Sequence, residues 1–230
     1  MPADIHIKKH TIAFTNIPPD IAEPWDSAVW KATPALQVSC YRQEGSNHHP
    51  HTQCKLLYDR ENIYGIFRVS DRHVRCMHTG FQSAVYKDSC VEFFLQPKNA
   101  AGYFNFEFNC GGALLASYVT DPTRTSGTVR GFIPLTPDED LQIKRSTTLP
   151  RIIEPEITGH IIWYLGFSIP FTVLEKYAGV LTGISGEIWR ANFYKCGNDT
   201  SHPHWGSWSP LSELNFHLPA EFGIIRFAYP

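Results

Sequence analysis

The sequence has little charge and no strong bias of sign. Charged residues make up 18% of its 230 positions and the formal net charge is −2, so it carries no basic footprint for nucleic acid. No apolar run approaches the length that spans a bilayer. There is no C-x-x-C pair among the six cysteines, which argues against a zinc ribbon or a thioredoxin-type site. Gly-x-Ser-x-Gly, His-Glu-x-x-His and a phosphate-binding glycine loop are all missing. Strand and helix signals do not alternate, which disfavours a parallel α/β sheet. The opening "MPADIHIKKHTIAF" lacks the basic-then-apolar layout of a secretory leader. The expectation is a chain that stays in the cytoplasm, or a secreted or periplasmic one whose leader has been removed.

Hydrophobic residues reach 43% and aromatics 13%, enough for a sizeable core with rings to spare for stacking. The six cysteines, Cys40, Cys54, Cys76, Cys90, Cys110 and Cys196, read as reduced, mostly buried small hydrophobes. A chain this long does not need disulfide staples.

Strand patterns dominate. "TQCKLLYD" (52–59) and "NIYGIFRVSD" (62–71) flank the tight "RE" turn as a hairpin. "SCVEFFLQP" (89–97), the turn "KNAAG", "YFNFEFNC" (103–110) and "ALLASYV" (113–119) follow. "LQIKRSTTL" (141–149), "RIIEPEIT" (151–158), "IIWYLGFSIP" (161–170), "EIWRANFYKC" (187–196) and "FGIIRFAY" (222–229) complete the series. Only "PWDSAVWKA" (24–32) and "PFTVLEKYA" (170–178) look helical, and both are short. The Thr-, Pro-, Gly- and Asp-rich stretch from Asp121 to Asp140 reads as a long surface loop. Short strands at regular spacing predict an all-β fold, an antiparallel, jelly-roll-like β-sandwich with one or two short helices. No shift of composition marks a boundary, so residues 1–230 read as one domain.

The strand 103–109 alternates cleanly. Phe104, Phe106 and Phe108 fall on one face; Tyr103, Asn105, Glu107 and Asn109 fall on the other. Two other runs behave alike. Val91, Phe93 and Leu95 alternate with Glu92, Phe94 and Gln96, and Trp189, Ala191 and Phe193 alternate with Arg190, Asn192 and Tyr194. Placed in one sheet, these strands gather Glu92, Glu107, Asn109, Arg190, Asn192 and Tyr194 on a common face. Carboxylate, amide and guanidinium groups suit sugar hydroxyls, each of which donates and accepts, and an aromatic ring suits the sugar's C–H face. The competing reading is an outward sheet face carrying scattered salt bridges.

Several stretches resemble the family 9 carbohydrate-binding module, a β-sandwich of the DOMON-like superfamily. They are "LLYDRENIYGIFRVSD" (56–71), "YKDSCVEFFL" (86–95), "NFEFN" (105–109), "FSIPFTVL" (167–174), "WRANFYKCG" (189–197) and "SWSPLSELNFHLPAEFGIIRF" (207–227). The most specific pair of signals is Asp88-Ser89-x-Val91-Glu92 and the closing Phe216-His217-x-Pro219-x-x-Phe222-Gly223. The resemblance implies binding of a saccharide or sugar-chain end, without catalysis, between two aromatic rings. By position it implies that Glu92 is the sugar-binding glutamate and that Asn109 and Asn192 are the amide positions. Tyr86 and Phe216 then stand where the family has stacking tryptophans, and Glu107 stands where a basic residue is expected. It further implies structural calcium, for which Asp71 and Asp88 are the candidate ligands, with turn capping as their ordinary role. Such modules usually travel attached to glycoside hydrolases.

Other readings compete. Glu92 and Glu107 together invite a glycoside hydrolase, which needs two carboxyls and one held protonated. Arg190 on the same face would instead keep a neighbour ionised. A haem site of the kind some DOMON-like relatives have would draw on Met77 with His73 and His78, Met1 being the only other methionine. "HHPH" (48–51) and "HPH" (202–204) offer imidazoles for a transition metal. Trp189 and Trp208 read as core rather than platform. "NDT" (198–200) has the form of a glycosylation acceptor. The oligomeric state is not legible in the sequence.

Overall fold

In the computed structural model of the chain, residues 7–98, 100–125 and 127–230 are described. Met1, Asn99 of the "KNAAG" turn and Ser126 of the stretch read as a loop lie outside them.

The alternating runs become strands because each has one wholly apolar face to bury. In chain order the elements are β1 (Lys9–Phe14), α1 (Ala28–Lys31), β2 (Ala35–Val38), β3 (Cys40–Tyr41), β4 (His51–Tyr58), β5 (Asn62–Asp71) and β6 (Val74–Cys76). Then come β7 (Cys90–Gln96), β8 (Tyr103–Asn109), β9 (Leu114–Thr125), β10 (Thr128–Pro134), α2 (Pro137–Gln142) and β11 (Lys144–Thr147). The chain closes with β12 (Ile153–Ile157), β13 (Ile161–Pro170), α3 (Phe171–Ala178), β14 (Ile188–Cys196), β15 (Trp205–Ser207) and β16 (Gly223–Phe227).

The strands form two layers. One runs β10-β9-β8-β7-β14-β16-β1 and the other β1-β4-β5-β13-β11. β1 belongs to both: Lys9–Ile12 pair with β16, then Ala13 and Phe14 pair with β4. Both of these pairings are parallel, so the antiparallel sandwich expected from the sequence holds everywhere along this path except at the strand that joins the layers. The inner faces meet through rings. Phe167 of β13 lies 5.8 Å from Phe93 of β7 and 5.4 Å from Phe108 of β8, centroid to centroid. Trp189 and Trp208 are both buried in this core, as the sequence suggests.

Backbone approach is tight where β5 faces β13. Gly65 sits opposite Phe167 in the ladder, and a Cβ there would overlap the Phe167 ring. Gly65→Ala is therefore expected to cost about 1–3 kcal/mol through overpacking, read as a lowered urea midpoint. An unchanged midpoint would show that the ring is free to move aside.

The stretch Asp121–Asp140 is not a loop. It holds the end of β9, all of β10 and most of α2. Most of the β10 residues are exposed, so the apolar alternation that reveals a strand is missing there. The helix has a local signal in the sequence: Thr136-Pro137-Asp138-Glu139 is a capping box with Pro in the first turn. The Glu139 carboxylate accepts the Thr136 backbone N–H at 2.7 Å.

One connection matters for function. β14 lends Ile188–Ala191 to β16 and Tyr194–Cys196 to β15 along the same edge. The chain between β15 and β16, residues 208–222, must leave that edge and return to it. It folds over the outer face of the sheet, packing Leu211, Phe216, Leu218 and Phe222 against Phe94, Tyr103 and Tyr194.

Candidate functional site

The register of β14, β7, β8 and β9 arranges their outward side chains in rows. Cys196, Cys90 and Asn109 form one row; Tyr194, Glu92, Glu107 and Leu115 form the next. Asn192, Phe94, Asn105 and Ser117 form the third, and Arg190 stands opposite Gln96 in the fourth. The pleat thus does gather the polar residues of three distant segments on one face.

That face is not evenly open. On the β14 side it lies beneath residues 208–222. On the β7–β9 side it forms the floor of a cavity of about 520 Å³. Glu92, Asn105, Glu107 and Ser117 supply the polar floor. Leu214 to His217 form one wall, and Arg124, Val129 and Phe132 of the β9–β10 hairpin form the other. Tyr86, Asn198 and Trp205 stand at one end.

Of the residues singled out from sequence, Tyr86, Glu92, Glu107 and Phe216 line this cavity. Tyr86 projects from a single 3-10 turn (Val85–Lys87) and is about a third exposed. Phe216 stacks on Tyr194 with ring centroids 4.0 Å apart, and the Tyr194 hydroxyl donates to the Phe216 carbonyl at 2.9 Å.

Asn109, Arg190 and Asn192 share the face but not the cavity. The Asn192 amide donates to the Ser209 carbonyl at 3.1 Å and its oxygen accepts the Ser209 N–H at 2.9 Å. Arg190 donates to the carbonyls of Pro219 and Ala220. Both clamp the covering segment down. Asn109 donates to the His78 carbonyl and to Asp88, and accepts the Ala113 N–H. Their hydrogen-bonding groups are spent within the protein, on backbone and on the Asp88 carboxylate, which strand alternation does not reveal. The cavity also holds residues that were not singled out: Asn105, Arg124, Asn198, Trp205, Asn215 and His217. Asn105 was visible in the polar row of β8. The rest sit on the hairpin, the loops and the three-residue β15, where periodicity says nothing.

The two acids are neighbours. Glu92 and Glu107 face each other across the β7–β8 ladder and are almost wholly buried. Burial pushes the Glu92 carboxyl well above its ordinary range, and Cys196 and Glu107 push the same way. Cys196 donates its S–H to Glu92 at 3.2 Å. Burial raises Glu107 to about 7, although the Asn105 amide, donating to it at 2.8 Å, pulls the other way. The Arg190 guanidinium, which sequence reasoning expected to keep a neighbour ionised, is committed to Pro219 and Ala220. The pair therefore retains a proton at neutral pH and offers both a donor and acceptors to the cavity.

Asp71 and Asp88 lie elsewhere, and their surroundings do not fit calcium. Burial alone would raise Asp71. The Lys195 ammonium, 3.4 Å away, and the His48 ring, 2.8 Å away, outweigh burial and hold it far below the usual carboxylate range. Asp88 accepts the N–H groups of Met77 and His78 and the Asn109 amide, at 2.8–3.0 Å. Calcium needs six to eight oxygen ligands. These carboxylates are ringed by N–H donors and a cation.

The histidines of "HHPH" and "HPH" do meet, though only in part. His48, His202 and His204 come together with His73, the His48 ring lying 5.1–6.3 Å from the other three. His204 accepts from Lys195 through Nε2 and donates to the His202 carbonyl through Nδ1, so both its nitrogens are engaged. No three ligand atoms of this group lie close enough together to hold a metal, among the described residues. His49 stacks on Tyr41 instead. Met77, His73 and His78, the haem candidates, do not line the cavity.

A β-sandwich with a polar, aromatic-rimmed cavity on one outer face has the build of a small-ligand binding module. The family model for carbohydrate-binding family 9 matches residues 28–227, and the chain belongs to that family. Among solved structures, a Bacteroides uniformis protein described as a candidate carbohydrate-binding protein is 25% identical, with a TM-score of 0.81 over 96% of this chain and 99% of that one. Two structures of a family 9 carbohydrate-binding module from Caldicellulosiruptor kristjanssonii share the fold. The one in complex with glucose is 14% identical, with a TM-score of 0.60 over 97% of each chain. The one in complex with cellotriose is 15% identical, with a TM-score of 0.61 over 97% of this chain and 95% of that one. No curated protein matches the sequence significantly.

Proposed function

We propose that this cavity binds a saccharide without chemical change, with Tyr86 and Phe216 as aromatic partners and Glu92, Glu107 and Asn105 holding hydroxyls. The observation that carries the reading is the Glu92–Glu107–Asn105 floor inside a cavity of about 520 Å³, a volume suited to a small ligand. A carboxyl pair that keeps one proton matches a sugar hydroxyl, which needs an acceptor for its O–H and a donor for its lone pairs. Membership of family 9, with a relative solved in complex with glucose and with cellotriose, points to the same class of ligand. Isothermal calorimetry against glucose and a cello-oligosaccharide series, with galactose, mannose and xylose sugars alongside, tests it. Heat that saturates at one site per chain is expected; absence of heat from every sugar overturns the reading.

Tyr86→Ala is the gentlest probe of the rim. The side chain is exposed, while its backbone carbonyl still accepts the Asn198 N–H. Loss of one stacking partner, worth about 0.5–1.5 kcal/mol, predicts an affinity lowered by about 2- to 12-fold with an unchanged melting temperature. Unaltered affinity would remove Tyr86 from the site.

A raised carboxyl pair is also what an acid catalyst requires, and this favours one further test. Both acids rise from adjacent strands of one floor, with Cβ atoms about 4.5–5.5 Å apart in such a pair, whereas a glycosidase flanks the scissile bond. Chromogenic glycosides are expected to remain intact. Hydrolysis that Glu107→Gln abolishes would reverse the assignment.

A further inference from the structure

Cys90 and Cys196 are directly opposed in the β7–β14 ladder, one row from Glu92. One ligand atom from each of Cys90, Glu92 and Cys196 lies within 4.8 Å of the other two, the only such trio among the described residues. All three side chains are buried, yet Glu92 and Cys196 line the cavity. The cluster is thus closed on the protein side and approachable from the cavity. The 3.2 Å between Cys196 Sγ and Glu92 Oε1 is a little inside the ligand spacing of a shared ion: tetrahedral zinc, with Zn–S near 2.3 Å and Zn–O near 2.0–2.2 Å, sets its ligands roughly 3.5–3.8 Å apart, so loading would spread the two donors slightly.

We infer that Cys90, Glu92 and Cys196 form a three-ligand site for a thiophilic divalent cation, Zn²⁺ above all, with its fourth position facing the cavity. Two thiolates select such a cation over calcium or magnesium. Three protein ligands and one open position are the pattern of zinc sites that exchange a water or an external oxygen. The cation also answers an electrostatic problem. Burial penalises the ionised Cys90 thiol and Glu92 carboxyl and pushes both upward, and a bound cation offsets that penalty. With it, three buried anions surround a double positive charge. Thiolate and carboxylate ligands bind a cation in their deprotonated forms, so loading must weaken as pH falls. Because Glu92 also belongs to the proposed sugar site, a bound cation and a sugar hydroxyl would meet at the same carboxylate. The metal inference stands on the trio's geometry alone and does not depend on sugar binding.

The test uses the full chain, reduced and freed of metal, titrated with Cd²⁺ and separately with Co²⁺. One equivalent is expected to produce the near-ultraviolet thiolate charge-transfer band, and Zn²⁺ should displace it. The band should vanish in Cys90→Ser and in Cys196→Ser. It should persist in Cys110→Ser, which breaks the chain's other neighbouring thiol pair, Cys76 and Cys110. Glu92→Gln keeps the side chain's size while removing the anionic ligand, and should weaken the metal at least tenfold with the band retained. Should either serine variant fail to fold, Glu92→Gln decides alone. A missing band at stoichiometric cadmium, a band that survives Cys196→Ser or is lost with Cys110→Ser, or an unchanged affinity in Glu92→Gln overturns the inference.

Discussion

Asp71→Ala is expected to destabilise the fold by about 3–5 kcal/mol, the usual cost of stranding one member of a buried ion pair. The stranded group is Lys195. Its ammonium is fully buried between the sheets and divides its donors among Asp71 at 3.4 Å, His204 Nε2 at 2.8 Å and the Cys196 carbonyl at 3.0 Å. Only Asp71 carries the opposite charge. Its carboxylate also accepts from His48, the Arg72 N–H and the Trp163 indole, so the truncation orphans donors as well as the cation. Asp71→Leu combined with Lys195→Met removes both charges and should cost clearly less than Asp71→Ala alone. Urea unfolding of the three proteins measures this; a double variant as unstable as the single one would mean that packing, not charge, is at stake. The pair also has a defined pH signature. Asp71 is held low in the folded state, so its contribution is complete above the ordinary carboxylate range and is lost only as pH falls through and below that range. Between pH 5 and 8 the Asp71→Ala deficit should be flat.

Glu107→Gln should behave in the opposite way. The folded protein raises this carboxyl from 4.5 to about 7. As pH rises through that interval, the unfolded chain loses its proton first, so the native glutamate progressively destabilises the fold. At about 1.4 kcal/mol per pH unit, the rise from 4.5 to about 7 amounts to about 3 kcal/mol. The Gln variant escapes this, and its oxygen can still accept from Asn105. It should match the wild type near pH 4 and exceed it by up to about 3 kcal/mol by pH 8. Parallel melts across pH 4–8 read the difference directly. A constant difference across that range would contradict the raised carboxyl. If the pair also grips hydroxyls, sugar affinity of the wild type should change between pH 6 and 8 and that of Glu107→Gln should not.

Much of the architecture was legible in the chain. The ten strands expected from alternation overlap β4, β5, β7–β9, β11–β14 and β16, and the runs 62–71 and 161–170 match β5 and β13 end to end. The strands outside these runs, β1, β2, β3, β6, β10 and β15, are either only two to four residues long or, as in β1 and β10, mostly unburied. Neither kind leaves a periodic trace. The site was legible in half. Glu92 and Glu107 could be placed side by side because strand parity is a local property, and Tyr86 and Phe216 followed from family resemblance. Asn109, Arg190 and Asn192 satisfied the same parity rule and still ended outside the cavity, because their partners are mostly backbone groups, up to 31 residues away in the chain.

By itself the sequence determined which side chains share a face. Pleating alternates neighbours, and the spacing of Phe104, Phe106 and Phe108 against Asn105, Glu107 and Asn109 leaves no other arrangement for a buried strand. Only the tertiary structure decided which part of that face stays open. That depended on where residues 208–222 cross it, a matter of long-range packing between β15 and β16 that no local pattern encodes. The same packing buried Glu92 and Glu107 almost completely, and it is this burial, which belongs to the fold and not to the residues, that raises both carboxyls.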